Sequence, residues 1–215
     1  MKNCLFILML FMPWILVAQS NEKSRWNWGF FSGIDHQTMG IETFGQPDLE
    51  EPHVWSEGPR LGLSGGVLVK KTVLPWLEFL PGFGLSMINN FVQYRPDGAR
   101  AYRFYDMEIP LYFQFIDARK VDAPVKGCIL AGPRFSWNLA DNASDFLKIN
   151  RERFAADLGL GVQLRIRNWH IQPVFIYSHG FNDLHFPDQG KYDDLVGRVV
   201  RDKFSLKIQC WKIGK

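Results

Sequence analysis

Residues 153–167 read RFAADLGLGVQLRIR. The even positions Phe154, Ala156, Leu158, Leu160, Val162, Leu164 and Ile166 are all apolar, and the odd positions are charged, polar or small. Side chains on a strand point alternately to opposite faces, so this is one strand with an apolar face and a charged face. The i, i+3, i+4 recurrence of an amphipathic helix is absent. The strand is also long: ordinary strands run about five or six residues, whereas a tilted membrane-crossing strand needs roughly nine to eleven.

The same alternation recurs along the chain. Residues 25–35 place Trp26, Trp28, Phe30 and Ile34 on one face, with Asn27, Gly29 and Gly33 opposite and Phe31 as an exception. Residues 60–70 set Leu61, Leu63, Val67 and Val69 against Gly62, Ser64, Gly66 and Lys70. In the third strand Phe79, Phe83, Leu85 and Met87 oppose Glu78, Gly82, Gly84 and Ser86. In the fourth, FYDMEIPLYFQF (Phe104–Phe115), Met107, Ile109, Leu111 and Phe113 oppose Asp106, Glu108, Tyr112 and Gln114. Pro110 lacks an N–H and predicts a bulge or a local gap in the ladder. The fifth strand is VKGCILAGPRFSWN (Val125–Asn138), and residues 153–167 are the sixth. Strand seven carries Ile171, Phe175 and Tyr177 against His170, Gln172 and Ser178; strand eight carries Phe204, Leu206, Ile208 and Cys210 against Lys203, Ser205, Lys207 and Gln209.

Eight strands result, joined by connections that alternate long and short. The long ones run to about residue 59, over Arg95–Arg103 with its Pro-Asp-Gly turn signature, over Leu139–Asn150 and over Gly180–Gly197. An even strand number, short periplasmic turns and longer extracellular loops describe an outer-membrane barrel, with both chain ends on the periplasmic side. Trp26, Trp28, Trp76, Trp169 and Trp211 fall at that rim, as an interfacial aromatic girdle does; Tyr102, Tyr105 and Trp137 fall near the opposite rim.

Which face points outward follows from the glycines and the charges. The polar face carries Gly62, Gly66, Gly82, Gly84, Gly132, Gly159 and Gly161, which suit a narrow interior and not a wetted exterior. It also mixes signs. Glu78, Asp106, Glu108 and Asp157 stand with Lys126, Arg134, Arg165, Lys203 and Lys207, a set expected to form a lumenal charge network, since buried charges must pair. The fold class is thus all-β: an eight-stranded antiparallel up-and-down transmembrane barrel of outer-membrane type. An eight-stranded barrel is just wide enough for side chains to fill, which predicts a plugged interior.

The remaining features bound the function. Lys2 followed by the apolar run Leu5–Val17 and small or polar Ala18–Ser20 reads as a secretory signal peptide over 1–20, leaving 21–215 as the barrel domain. The mature part holds no run of eighteen apolar residues, so no membrane helix is expected. A net charge of +3 over 215 residues is too balanced to imply nucleic-acid binding. Cys128 and Cys210 fall on opposite faces of non-adjacent strands and are expected unpaired. His179, Asp183 and His185 have a loose metal-ligand spacing, for which a solvated loop is the simpler reading. Ser178 beside His179 is similar to the nucleophile and base of outer-membrane lipid hydrolases, yet adjacent strand residues face opposite ways. The sequon Asn142–Ser144 and the acids Asp48, Glu50 and Glu51 read as solvated loops. No catalytic, cofactor-binding or metal residues are therefore expected, and the chain is read as non-enzymatic.

Three segments carry a family resemblance: MEIPLYFQF (Met107–Phe115), GPRFSW (Gly132–Trp137) and DLGLGVQLRI (Asp157–Ile166). In order and spacing they resemble the PorT family of outer-membrane β-barrels, with the EIPL strand the most specific piece. The resemblance implies an integral protein of the Gram-negative outer membrane that serves type IX protein secretion, and gliding in some bacteria. Its partners would be outer-membrane lipid and secretion-system proteins. The chain departs from the family pattern in its acidic first loop and its short tail after Trp211. The alternative expectation is an outer-membrane barrel that binds a ligand or protein through its long extracellular loops.

Overall fold

The computed structural model describes residues 26–44, 53–117, 123–140, 146–186 and 191–212. The signal segment 1–20, the acids Asp48, Glu50 and Glu51 and the sequon Asn142–Ser144 lie outside the described residues. The strands are β1 (Asn27–Thr43), β2 (His53–Ser56), β3 (Arg60–Leu74), β4 (Leu77–Arg95), β5 (Gly98–Ile116), β6 (Val125–Asn138), β7 (Glu152–Ile166), β8 (Trp169–Gly180) and β9 (Val196–Lys212). All pairings are antiparallel, and the order β2-β4-β3-β1-β9-β8-β7-β6-β5 closes through β4–β5. Eight strands form the ring. The four-residue β2 adds to the far end of β4, opposite His53↔Arg95 to Ser56↔Val92, where β3 has not yet begun.

The alternation is resolved as apolar outward. Leu61, Leu63, Leu158 and Leu160 are between 57% and 71% exposed, while Glu108, Arg134, Asp157 and Lys207 are at most 3% exposed. Lipid covers the first set and the lumen buries the second. Pro110 lies at an interruption as expected: β4–β5 pairing steps from Pro81↔Leu111 to Gly84↔Glu108, and β5–β6 pairing from Pro110↔Arg134 to Phe113↔Ala131.

Several expectations are corrected. The segment Arg95–Arg103 is no long loop. β4 and β5 continue their ladder to Tyr94↔Gly98 and turn at Pro96–Asp97, with Gly98 supplying the positive φ of 86° that the reversal needs. β1 likewise runs on to Thr43 and β9 begins at Val196. The reason is an inversion of polarity. Beyond Met87 and Tyr105 the outward positions become mixed (Asn89, Phe91, Gln93, Ala101, Arg103), while the inward ones, Asn90 apart, turn apolar (Ile88, Val92, Tyr94, Tyr102, Phe104). The barrel leaves the lipid there and continues as a water-soluble barrel would, so an apolar-out pattern no longer marks the strand. Tyr102 belongs to this interior, not to the rim.

Trp211 is the second correction. It is 1% exposed, unlike Trp26, Trp28, Trp76 and Trp169, which are 42–68% exposed at the same end. It continues the inward series Lys203, Ser205, Lys207, Gln209, so nearness to the rim does not set its direction. Its ring lies under Lys70 Nζ at 5.1 Å. Gly29 across the ladder leaves the room: a Cβ there would sit 2.6 Å from Trp211 Nε1.

Candidate functional site

The lumen is filled in three layers. Toward the periplasmic end Phe31, Leu68, Leu80, Leu130, Val174 and Trp211 pack with other buried apolar groups. Polar pairs are threaded among them: Lys70 Nζ meets Glu78 at 3.2 Å, and the Gln114 and Gln172 amides exchange hydrogen bonds of 3.1 and 2.8 Å. Toward the extracellular end, the extended strands and the segments 146–149, 184–186 and 191–196 close over the barrel with Met39, Val92, Tyr102, Leu147, Leu184 and Tyr192.

Between them lies a belt of charge. Glu108 on β5 accepts from Arg134 Nη1 at 3.3 Å to each carboxylate oxygen, contacts Lys203 Nζ closely, and lies 3.6 Å from Lys207. Asp35 on β1 meets Lys203 at 3.3 Å and accepts from Ser64 and Ser86 at 3.1 and 2.9 Å. Asp157 on β7 accepts from the Tyr112 hydroxyl at 2.5 Å and faces Arg134 at 3.4 Å. Asp106 on β5 binds Arg201 at 2.6 Å, and that guanidinium also donates to Gln37 at 2.6 Å and stacks over Phe104 at 3.7 Å. Five strands thus aim charges at one another across the lumen, and each carboxylate draws its cations from strands other than its own. Such a network fixes the barrel cross-section, because losing one partner leaves a buried charge uncompensated.

The structure brings Asp106, Glu108, Arg134, Asp157 and Lys207 of the expected set into this belt. Glu78 sits apart with Lys70. Arg165 is exposed and Lys126 partly exposed at the periplasmic end, so neither reaches the buried belt. An inward position at the last rung of a strand faces the mouth and not the lumen. Lys203, also read on the polar face, joins them, and Asp35, Arg153 and Arg201 complete the belt. Parity alone could have found them, since Arg201 continues the odd series of β9 and Arg153 that of β7.

Other candidates are dispersed. Ser178 is fully buried in the lumen, where its Oγ accepts from Arg134 and, at 3.3 Å, from Arg153; His179 is exposed on the outer wall, 2.9 Å from Asp202. Asp183 is committed to backbone, accepting from the His185 and Val199 amides at 2.8 and 2.9 Å. Among the described residues, no three His, Cys, Asp or Glu side chains gather as a metal site. Among the described residues, Cys128 and Cys210 are both free thiols.

The extracellular cap is pinned from its own tip. Asp97, in the β4–β5 turn, contacts Lys191 Nζ and accepts from the Tyr192 hydroxyl at 2.8 Å. Hydrogen bonds from Lys191 and then Tyr192 hold its carboxyl below the usual carboxylate range. Tyr94 and Tyr102 share a buried hydroxyl–hydroxyl contact of 2.6 Å beneath.

Comparison with known proteins agrees with this geometry. Residues 17–185 match the family model described as the outer membrane protein β-barrel domain. The crystal structure of OprG from Pseudomonas aeruginosa superposes with a TM-score of 0.50 at 11% identity, covering 88% of this chain and 96% of that one. At this identity the likeness shows the fold alone. Neisserial surface protein A (NspA) gives a TM-score of 0.47 at 11% identity, covering 85% of this chain and 95% of that one. AlkL, solved in DMPC lipid bilayers, gives 0.45 at 10% identity over 92% and 96%. Comparison with curated proteins returns no match.

Proposed function

The chain belongs to the outer membrane protein β-barrel domain family and is integral to the bacterial outer membrane, and from that premise we propose that it is a PorT-like accessory component of the type IX protein secretion system, acting through protein contacts and not as an enzyme. The filled lumen is the observation that carries this reading. Glu108, Arg134, Arg153 and Lys203 occupy its middle and are each 1% exposed. A polypeptide cannot thread past them, so the barrel's work falls to its surfaces and its secretion-system partners. The EIPL strand supports the same reading through its likeness to PorT, for it supplies Glu108, the hub of the belt. Deletion of the gene should abolish export of secreted cargo and wild-type complementation should restore it. Normal export without the protein would end this reading.

A second reading is favoured by the cap: the protein binds a ligand or partner extracellularly and has no part in secretion. Phe44, Trp55, Phe181 and Phe186 are 41–70% exposed on elements at that end. Under this reading, shortening the 181–195 connection abolishes binding while cargo export continues.

A further inference from the structure

The outer wall changes character above the hydrocarbon without changing face. On β4 the lipid-covered series Phe83, Leu85, Met87 continues outward through Asn89, Phe91 and Gln93. At about 3.3 Å per residue and a tilt of about 40°, these stand about 5–15 Å above Met87. Across the ladders, Trp55 of β2 and Ala99 of β5 oppose Gln93, Ala101 opposes Phe91, and Arg103 opposes Asn89. Directly opposed residues share a face, so this patch is continuous with the lipid-covered wall below it.

The patch is already organised. Trp55 is 41% exposed and stacks on His53 with ring centroids 5.3 Å apart. The Glu57 N–H donates to the Phe91 carbonyl at 3.0 Å, and its carboxylate pairs with Arg60 at 2.7 Å and accepts from the Gln93 amide. The Arg60 guanidinium lies over the Phe91 ring at 4.8 Å. Gln93 spends one amide N–H on Glu57 and keeps its carbonyl oxygen and second N–H for another partner. Ala99 and Ala101 are short and exposed, which leaves a shelf beside Phe91, and Arg95 and Arg103 are exposed on the same face.

An indole face beside an amide and arginines suits a phosphorylated sugar. The C–H face of the sugar ring stacks on the aromatic, its hydroxyls bond the amide, and its phosphate draws the guanidinium groups. The position of the shelf decides which molecule meets it: one whose acyl chains cover Leu85 and Met87 carries its headgroup to this height. We propose that Trp55, Phe91 and Gln93, flanked by Arg95 and Arg103, bind the phosphorylated saccharide headgroup of an outer-leaflet glycolipid of the lipopolysaccharide class. A phospholipid would offer the arginines a phosphate but no sugar ring to Trp55. The contact stands whether or not the barrel serves secretion.

The test uses the full mature chain refolded in uncharged detergent. It is presented with lipid A carrying its inner-core sugars, with phosphatidylglycerol, or with the deacylated core saccharide, and bound molecules are counted by native mass spectrometry. Wild type should bind the glycolipid about tenfold more tightly than either of the others, and Trp55→Ala should lower that affinity about tenfold, as loss of an aromatic anchor does. Trp55→Tyr keeps a stacking face and should retain most of the binding, and Trp28→Ala at the opposite rim should leave it unchanged. Ala101→Glu sets a carboxylate at an exposed position beside Phe91, so it should fold and weaken glycolipid binding; it decides alone should Trp55→Ala fail to fold. Equal binding of phosphatidylglycerol would show a charge contact only, and equal binding of the free saccharide a soluble glycan partner. Either result, or unchanged glycolipid affinity in Trp55→Ala or Ala101→Glu, overturns the proposal.

Discussion

Replacing Leu160 by Arg tests the inside-out assignment on which everything else rests. Leu160 is 62% exposed on the outer wall, between Ile129 on β6 and Phe175 on β8. Six residues separate it from Ile166 at the periplasmic end of β7. At about 3.3 Å per residue along a strand tilted by about 40°, that places it about 15 Å above the rim. The apolar band of such barrels is about 25 Å tall, so Leu160 lies within a few ångströms of the midplane. An arginine on the lipid face at that depth costs about 2–4 kcal/mol, falling to about 0–1 kcal/mol near the interfaces. The larger figure corresponds to roughly thirty- to seven-hundredfold in the folding equilibrium. Phe154, six residues further along the same outward face, supplies the depth control. Leu160→Arg and Phe154→Arg would be refolded into neutral phosphatidylcholine vesicles, and stability measured by reversible denaturant titration with tryptophan fluorescence. A cost at 160 exceeding that at 154 by more than about 1 kcal/mol is expected from the depth profile. Equal stability of Leu160→Arg and wild type would refute the outward placement of the even face of β7, and with it the charged lumen.

Glu108→Gln strands Arg134, Lys203 and Lys207 without their shared carboxylate, and should lower stability by about 3–5 kcal/mol in the same titration. Gly132→Val should disrupt assembly, because a Cβ there would overlap the Leu111 carbonyl oxygen and stand 3.0 Å from Leu111 C and Tyr112 Cα; Gly127→Ala, with nothing within 4 Å, should be neutral in a heat-modifiability gel. Asp97→Asn should release the 191–195 segment from the cap, read as several-fold faster tryptic cleavage at Lys191 at pH 7. Because the folded Asp97 carboxyl is depressed by Lys191 and Tyr192, this pin is complete above about pH 4 and is lost as pH falls through the lower folded value. Hydrogen exchange of the cap in wild type should therefore stay constant from pH 7 to about pH 4, after correction for intrinsic rates.

Much of this architecture is legible in the sequence, and the reason is geometric. A period of two is enforced by the strand itself, so RFAADLGLGVQLRIR declares its faces without reference to any neighbour. Lipid on one side and a narrow lumen on the other then demand opposite chemistries, which gives the strand count, the outward face and the buried positions of Glu108, Arg134 and Asp157. The periodic signal weakens wherever the environment changes along a strand. Above Met87 the outside is water and the inside is apolar, so β4 and β5 read as a loop although their ladder continues to Tyr94 and Gly98. At the periplasmic end, Trp211 and Arg165 both occupy inward positions, yet one is buried and the other exposed. Sequence determined which residues share a face. Only the closed ring decided which of them meet, because the shear of eight paired strands brings Lys203 of β9 against Glu108 of β5 across the lumen, and no spacing along the chain encodes a contact between opposite walls.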